Sequence, residues 1–173
     1  MGHEIKVLVI SGSMGSGKTT VLAEASDLLT AADIPHAAVD LDALRLGYLP
    51  AATADELEIR NLAALWRNYA ASGATRLLIA GALATSDKRA QLQGVIREAT
   101  ILVCRLRARL STMERRVRAR ELGILQERLV ARVTELETAL DAGQVEDFSV
   151  ENDGRSLTDV TREMLIRAGW LNT

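Results

Sequence analysis

Residues 5–20 read IKVLVISGSMGSGKTT, and this stretch decides the fold. The run at 5–10 is short, rich in β-branched residues and almost wholly apolar, which is typical of a strand buried on both faces of a parallel sheet. A glycine-rich turn follows, and apolar residues then recur at helical spacing from Lys18 to about Ala32. Strand, glycine loop and helix in this order predict the first unit of an α/β fold.

The loop between that strand and helix, GSMGSGKT at 12–19, fits the spacing of a phosphate-binding loop. Its glycines let successive backbone N–H groups point inward around a phosphate, and the helix adds its positive end. The lysine reaches the β- and γ-phosphates, and the last hydroxyl ligates a bridging Mg²⁺. The alternative, a glycine-rich turn that binds nothing, is disfavoured by the flanking strand and helix. The predicted nucleotide-binding residues here are Gly12, Ser13, Met14, Gly15, Ser16, Gly17, Lys18, Thr19 and Thr20.

Strands and helices continue to alternate after this unit. We predict further strands at 37–39, 76–80, 101–106 and 148–150. Capping boxes at Thr53 and Ser111 predict the starts of two helices, a third helix is predicted from Ser86 to about Glu98, and Gly143 predicts the end of a fourth. Because parallel strands need crossover connections, this order predicts a mainly parallel five-stranded sheet with helices on both faces, in one domain spanning residues 1–173.

The composition limits the classes of function. The net charge of -2 and the pI near 5.8 give no general attraction to nucleic acid or to an anionic membrane. Cys104 is the only cysteine, which excludes an internal disulfide and a cysteine-built metal site. No apolar stretch is long enough to span a bilayer, and the N-terminus lacks a signal-peptide pattern. We therefore expect a cytoplasmic monomer or homodimer with no nucleic-acid or membrane partner.

Two aspartates, Asp40 and Asp42, follow the predicted second strand. Ligands bind at the carboxyl ends of strands in open α/β sheets, so these carboxylates are candidates for contacts with magnesium or substrate. The alternative is that both only cap the turn after the strand. The third strand ends in Ala80 and Gly81, where many P-loop ATPases carry an acid, so the pair becomes more necessary for the metal.

The segment at approximately 107–127 is dense in arginine and is predicted to form a short helical lid over the site. An arginine that closes over a migrating phosphoryl group stabilises its charge and helps to exclude water. On a helix, Arg116 and Arg120 share one face and Arg115 and Arg118 share a neighbouring one, and both faces cannot point inward. The alternative is a solvated helix whose arginines pair with glutamates.

Four further segments resemble the small P-loop kinases, in particular the branch containing adenylylsulfate kinase, shikimate kinase and gluconate kinase. They are VDLDALRLGY at 39–48, EIRN at 58–61, LRARLSTMERRVRAREL at 106–122 and VENDGRSLTDV at 150–160. The resemblance implies a three-layer α/β/α P-loop NTPase fold, a parallel sheet in the order 2-3-1-4-5, and the use of ATP and Mg²⁺.

The resemblance also implies roles on the acceptor side of the site. Asp40 would hold Mg²⁺ together with Thr19, and Asp42 would accept the proton of the acceptor hydroxyl. Arg45 and Arg60 would contact the acceptor, since a guanidinium fork suits carboxylate, sulfate or phosphate. The alternative for Arg45 is a surface arginine on a short helix.

Other implied roles concern the nucleotide. The Arg-x-x-x-Arg spacing of the family selects Arg116 and Arg120 as the catalytic lid arginines, beside the catalytic Lys18. The turn that contains Asn152 and Gly154 would lie against the nucleotide base, although a purely structural turn is the alternative.

These patterns predict an ATP- and Mg²⁺-dependent phosphotransferase that moves the γ-phosphoryl group to a small hydroxyl- or phosphate-bearing acceptor. The chain lacks the arginine-aspartate-proline-lysine-glycine stretch of adenylylsulfate kinases, and Ala80-Gly81-Ala82 stand where shikimate kinases have three glycines. The motifs therefore leave the acceptor open. The alternative function is a non-catalytic ATP- or GTP-binding sensor, and a simple hydrolase is disfavoured by the missing acid after the third strand.

Overall fold

The computed structural model describes residues 4–47 and 53–172. Within these ranges the elements follow the order β1 (Ile5–Ser11), α1 (Lys18–Ala31), β2 (Ala37–Asp40), α2 (Leu41–Leu44), α3 (Ala54–Ala71), β3 (Arg76–Ala80), α4 (Ser86–Val95), β4 (Ala99–Arg107), α5 (Leu110–Arg120), α6 (Gln126–Gly143), β5 (Phe148–Glu151) and α7 (Leu157–Arg167). Tyr48, the last residue of the VDLDALRLGY motif, lies outside the described residues. None of the described helices is long and apolar enough to cross a membrane.

The five strands form one parallel sheet in the order β2-β3-β1-β4-β5, which confirms the predicted fold. On β1 and β2, Ile10 and Asp40 are both in register with Ala80 of the intervening β3. Adjacent strands lie about 4.8 Å apart, so the ends of β1 and β2 stand roughly 10 Å from each other at one edge of the sheet. The glycine loop and Asp40 therefore emerge side by side.

Alternate residues of β1 supply two separate cores. Val7 and Val9 pack with residues of α3 and α4 on one face, whereas Leu8 and Ile10 pack with α1 and α7 on the other. All four side chains are almost fully buried, as expected for a central strand covered on both faces. The two tryptophans belong to these cores, since Trp66 is 7% exposed and Trp170 is 4% exposed.

The predicted capping boxes have different outcomes. Thr53 and Glu56 form the expected box at the start of α3. The box predicted at Ser111 is wrong, because the N-cap of α5 is Arg109, two residues earlier, and this helix has no side-chain cap. Asp153 from the loop after β5 accepts hydrogen bonds from the Arg109 N–H and the Thr112 hydroxyl. A carboxylate distant in sequence thus ties the start of α5 to that loop.

The two other helix ends also differ from the prediction. α4 ends at Val95 rather than near Glu98, and β4 begins at Ala99 rather than at Ile101. α6 continues through Gly143, and Gln144 adopts the left-handed conformation that closes the helix. A Cβ atom on Gly143 would lie 1.9 Å from the carbonyl oxygen of Ala84, so close backbone packing, rather than capping, requires this glycine.

Candidate functional site

The glycine loop at 12–19 connects β1 directly to α1, with Gly17 in the left-handed conformation at the start of the helix. A Cβ atom on Gly15 would lie 2.4 Å from the Met113 carbonyl oxygen, and one on Gly17 would lie 2.5 Å from Asn152 Nδ2. Both glycines also have positive φ angles, of 77° and 98°. The loop is therefore enclosed by α5 and by the loop after β5, and only glycine fits at these two positions.

Side-chain hydrogen bonds hold the loop to α5, to α6 and to the loop after β5. The Ser13 hydroxyl donates to the Val133 carbonyl oxygen of α6 at 2.9 Å. Asn152 Nδ2 donates to the Ser16 carbonyl oxygen at 2.6 Å. Arg116 donates to the Gly15 carbonyl oxygen at 3.1 Å. Since these bonds occupy carbonyl and hydroxyl groups, they leave backbone N–H groups to bind an anion, as in other phosphate loops.

Lys18 stands among charged groups at the carboxyl edge of the sheet. Its Nζ donates to the Ser13 carbonyl oxygen at 2.9 Å. Burial is the main cause that lowers the pKa of Lys18. Four charged groups modify this effect, Arg120 in the same direction and three carboxylates in the opposite one: Asp42, Asp40 and Glu137. The predicted phosphate ligand and both predicted aspartates therefore share one electrostatic environment.

Asp40 caps the turn after β2 and also contacts the end of the glycine loop. Its Oδ1 accepts a hydrogen bond from the Asp42 N–H at 3.0 Å and caps α2. Its Oδ2 accepts a hydrogen bond from the Thr19 hydroxyl at 2.7 Å. One carboxylate oxygen thus fixes the turn, and the other meets the end of the phosphate loop.

The Thr19 and Asp40 oxygens fit the requirements of a magnesium site. Mg²⁺ prefers hard oxygen ligands and usually takes one or two from the protein, with the rest from phosphates and water. In residues 4–47 and 53–172 no group of three or more His, Cys, Asp or Glu side chains is placed to hold a metal ion. A metal held by Thr19 and Asp40 therefore depends on phosphate ligands as well.

Arg45 and Arg60 occupy different environments. Arg45 makes a 2.8 Å ion pair with Asp42 and reaches two more carboxylates on α3, those of Asp55 and Glu58, at 3.8 Å. Arg60 is exposed on α3, where its charge acts on Glu56, one turn away. The structure thus brings Arg45 together with Asp42, whereas Arg60 lies beside the capping box of its own helix.

Two residues at this edge were not identified from the sequence. Glu58 is only 3% exposed, and burial raises its pKa, against the opposing effects of Lys88 and Arg45. Lys88 lies in the first turn of α4, and its Nζ is 3.7 Å from both Asp55 and Glu58. Helical periodicity could have identified Glu58. It stands four and eight residues before Leu62 and Trp66, on the same buried face of α3, where an acidic residue is unusual.

The two predicted lid arginines make different contacts. Arg116 bridges two loops, donating to the Gly15 carbonyl oxygen and, at 3.0 Å, to that of Asn152. Arg120 is 60% exposed and pairs with Glu121 at 2.8 Å, while its charge also acts on Lys18.

The loop after β5 joins the phosphate loop to α5. Asn152 is 8% exposed and contacts the phosphate loop, and Asp153 accepts hydrogen bonds from the Arg109 guanidinium and the Thr112 hydroxyl. The pair with Arg109 lowers the pKa of Asp153. Gly154 has φ +69° and open space around its Cα, as a tight turn requires.

A second charged group at the end of β4 was also missed. Arg105 is fully buried and pairs with carboxylates of α6 and of the loop that follows: Glu137 at 2.9 Å, Asp141 at 2.8 Å and Glu146 at 3.4 Å. Burial alone would lower the pKa of Arg105, but the hydrogen bond to Asp141 and the charge of Glu137 raise it overall. The available signal for Arg105 was an arginine inside an otherwise apolar strand.

No family model matches the sequence, and no curated protein matches it. Several solved structures, however, match this chain in fold. A gluconokinase from Sinorhizobium meliloti 1021 superposes with a TM-score of 0.61 at 18% identity, over 98% of this chain and 94% of that one. An APS kinase from Mycobacterium tuberculosis, in complex with AMPPNP and APS, gives 0.64 at 20%, over 96% and 98%. A shikimate kinase from Acinetobacter baumannii, in complex with shikimate, gives 0.56 at 18%, over 98% and 97%.

These structures are similar to the present chain along almost the full length of both partners, and all three are P-loop small-molecule kinases. The chain therefore has the fold of the P-loop small-molecule kinases.

Proposed function

We propose that this protein is an ATP- and magnesium-dependent kinase that transfers the γ-phosphoryl group to a small hydroxyl- or phosphate-bearing acceptor. The observation that carries the proposal is the convergence of Lys18, the Thr19–Asp40 hydrogen bond and Asp42 at one edge of the sheet. Asp42 supports a transferase over a simple binder, because it adds a second carboxylate near Lys18 that is separate from the Thr19–Asp40 pair and can accept a proton.

The residues of the chain divide the work between binding and proton transfer. The N–H groups of the loop and the Lys18 ammonium hold the β- and γ-phosphates, and Arg120 opposes the charge that develops on the migrating group. Thr19 and Asp40 would hold Mg²⁺, which when bound would stabilise charge on the phosphate oxygens. Arg116 keeps the phosphate loop and the loop after β5 in place through its two backbone contacts.

Phosphoryl transfer exchanges one P–O bond of the γ-phosphorus for another. The acceptor oxygen forms a bond to the γ-phosphorus while the bond from that phosphorus to the β,γ-bridging oxygen breaks. ADP leaves with the electron pair of the broken bond, and the hydroxyl proton passes to the Asp42 carboxylate. The Arg45 ion pair at 2.8 Å and the helical turn of α2 position that carboxylate.

The test measures acceptor-dependent release of ADP from wild type and from Asp42→Asn. Because general bases contribute about 10²- to 10⁴-fold to rate, the variant should lose kcat by that order while the KM for ATP changes much less. Asp27→Asn, an exposed charge change on α1, serves as the matched control and should behave like wild type. Equal losses in ATP binding and rate would instead place Asp42 at the metal. Tight ATP binding without ADP release, for any acceptor, would favour a nucleotide sensor over a kinase.

A further inference from the structure

Five charged residues from three elements form an acceptor-side cluster next to Asp40: Asp42, Arg45, Asp55, Glu58 and Lys88. Arg45 contacts all three carboxylates, at 2.8 Å for Asp42 and at 3.8 Å for Asp55 and Glu58. Lys88 contacts Asp55 and Glu58, each at 3.7 Å. The cluster thus sets two cations against three carboxylates, and both cations are already paired.

Glu58 opposes the removal of either cation from the cluster. Its side chain is only 4% exposed, and its partners are the two cations of the cluster. If an anionic acceptor drew Arg45 or Lys88 away, a buried carboxylate would lose its compensation, which is strongly unfavourable.

The wall formed by α6 and the end of β4 has the same excess of carboxylates. Arg105 is inaccessible, and Arg107 lies within 3.7 Å of Asp141 and 3.5 Å of Glu146. Two buried carboxylate oxygens, Glu137 Oε1 and Glu146 Oε2, have no hydrogen-bond partner among the described residues. Arg105 Nε is likewise without a partner among these residues, so unmatched acceptors outnumber unmatched donors by two to one here, and a hydroxyl or ammonium group can donate to them.

We propose that the acceptor is a hydroxyl compound that carries no anionic group, being either uncharged or cationic. This inference rests on the proposed kinase function and narrows the class of acceptor. Its reason is that Arg45 forms ion pairs with carboxylates of its own chain instead of being free to bind a substrate carboxylate, sulfate or phosphate. Among the described residues near the loop, Lys18 and Arg120 are assigned to the triphosphate, and Arg116 donates to the carbonyl oxygens of Gly15 and Asn152.

The experiment separates acceptors by charge before they meet the enzyme. A small-molecule cell extract is passed over an anion exchanger at neutral pH, and the flow-through and the retained pool are incubated separately with protein, ATP and Mg²⁺. We expect ADP release, and a product heavier by one phosphoryl group in mass spectrometry, with the flow-through. Transfer only in the retained pool would overturn this inference and leave the kinase function intact. Transfer in neither pool, from protein that binds ATP, would overturn the kinase function itself.

A double variant tests whether the cluster sets this preference. Asp55→Asn with Glu58→Gln removes two negative charges, frees Lys88 and leaves Arg45 with Asp42 alone, so the rate with the retained pool, relative to the flow-through, should rise by about tenfold or more. Asp27→Asn and its combination with Asp33→Asn are charge-matched controls on and after α1, remote from the cluster, and should leave the ratio unchanged. An unchanged ratio in a double variant that still uses the flow-through pool would refute the role of the cluster.

Discussion

Replacing Asn152 with alanine should loosen the phosphate loop and weaken ATP binding. The Asn152 amide is 8% exposed and donates to the Ser16 carbonyl oxygen at 2.6 Å. Truncation leaves that buried carbonyl without this donor, which costs about 1–3 kcal/mol. If about 2 kcal/mol of that cost falls on the closed form of the loop, ATP affinity drops roughly 30-fold at 1.4 kcal/mol per tenfold. The same loss lowers the Tm of a chain of this size by roughly 4–8 °C.

Calorimetric titration with Mg-ATP, paired with thermal unfolding, measures both effects. Asn152→Asp should be worse than Asn152→Ala, because it points a carboxylate at a carbonyl oxygen and keeps no donor. Asn68→Ala, at an exposed site on α3, is the matched control and should bind ATP as wild type does. If Asn152→Ala bound ATP with unchanged affinity, the hydrogen bond would not hold the loop in its binding conformation.

Three further predictions concern pH and packing. Burial lowers the pKa of Lys18, whereas a bound triphosphate favours the charged form of this lysine. As pH rises, ATP affinity should therefore begin to fall at a lower pH than it would with an ordinary lysine. In Lys18→Arg the fall should move to higher pH, which calorimetric titration with ATP across pH measures. Burial raises the pKa of Glu58 above its unfolded value, so its favourable contribution is complete below the unfolded pKa and is lost as pH rises through the folded pKa. Urea unfolding should therefore show Glu58→Gln gaining stability relative to wild type over that rise, and a constant difference would contradict it. Gly143→Ala should destabilise the fold by about 1–3 kcal/mol, because the new methyl group would collide with the Ala84 carbonyl oxygen. Gly94→Ala, in open space on α4, should be neutral or stabilising by up to about 1 kcal/mol. Similar denaturation midpoints for the two variants would refute the packing argument.

The strand pattern and the glycine loop were readable from the sequence because both are local. A β-branched run, a glycine spacing and a capping box such as Thr53 with Glu56 each involve neighbours along the chain. The predicted sheet order followed from the family resemblance, and the structure confirms it.

Contacts between distant segments could not be predicted in the same way. Asn152 and Ser16 are separated by 136 positions, and the Glu58–Lys88 pair depends on how α3 and α4 pack. The cap predicted at Ser111 was wrong as well: the helix begins at Leu110, where Asp153 from another loop binds the Arg109 N–H and the Thr112 hydroxyl. The sequence indicated which residue types border the site, whereas the packing determined which charges are already paired.

The central claim is that the loop at 12–19 holds a nucleoside triphosphate through its backbone N–H groups and Lys18. Calorimetric titration with Mg-AMPPNP tests it most directly, on wild type, Lys18→Ala and the control Lys6→Ala, whose lysine pairs with Glu4 at the opposite end of β1. We predict saturable binding near one nucleotide per chain for wild type and Lys6→Ala, and a loss of at least tenfold in affinity for folded Lys18→Ala. No binding heat and no thermal protection of the wild type, or equal binding by Lys18→Ala, would contradict the claim.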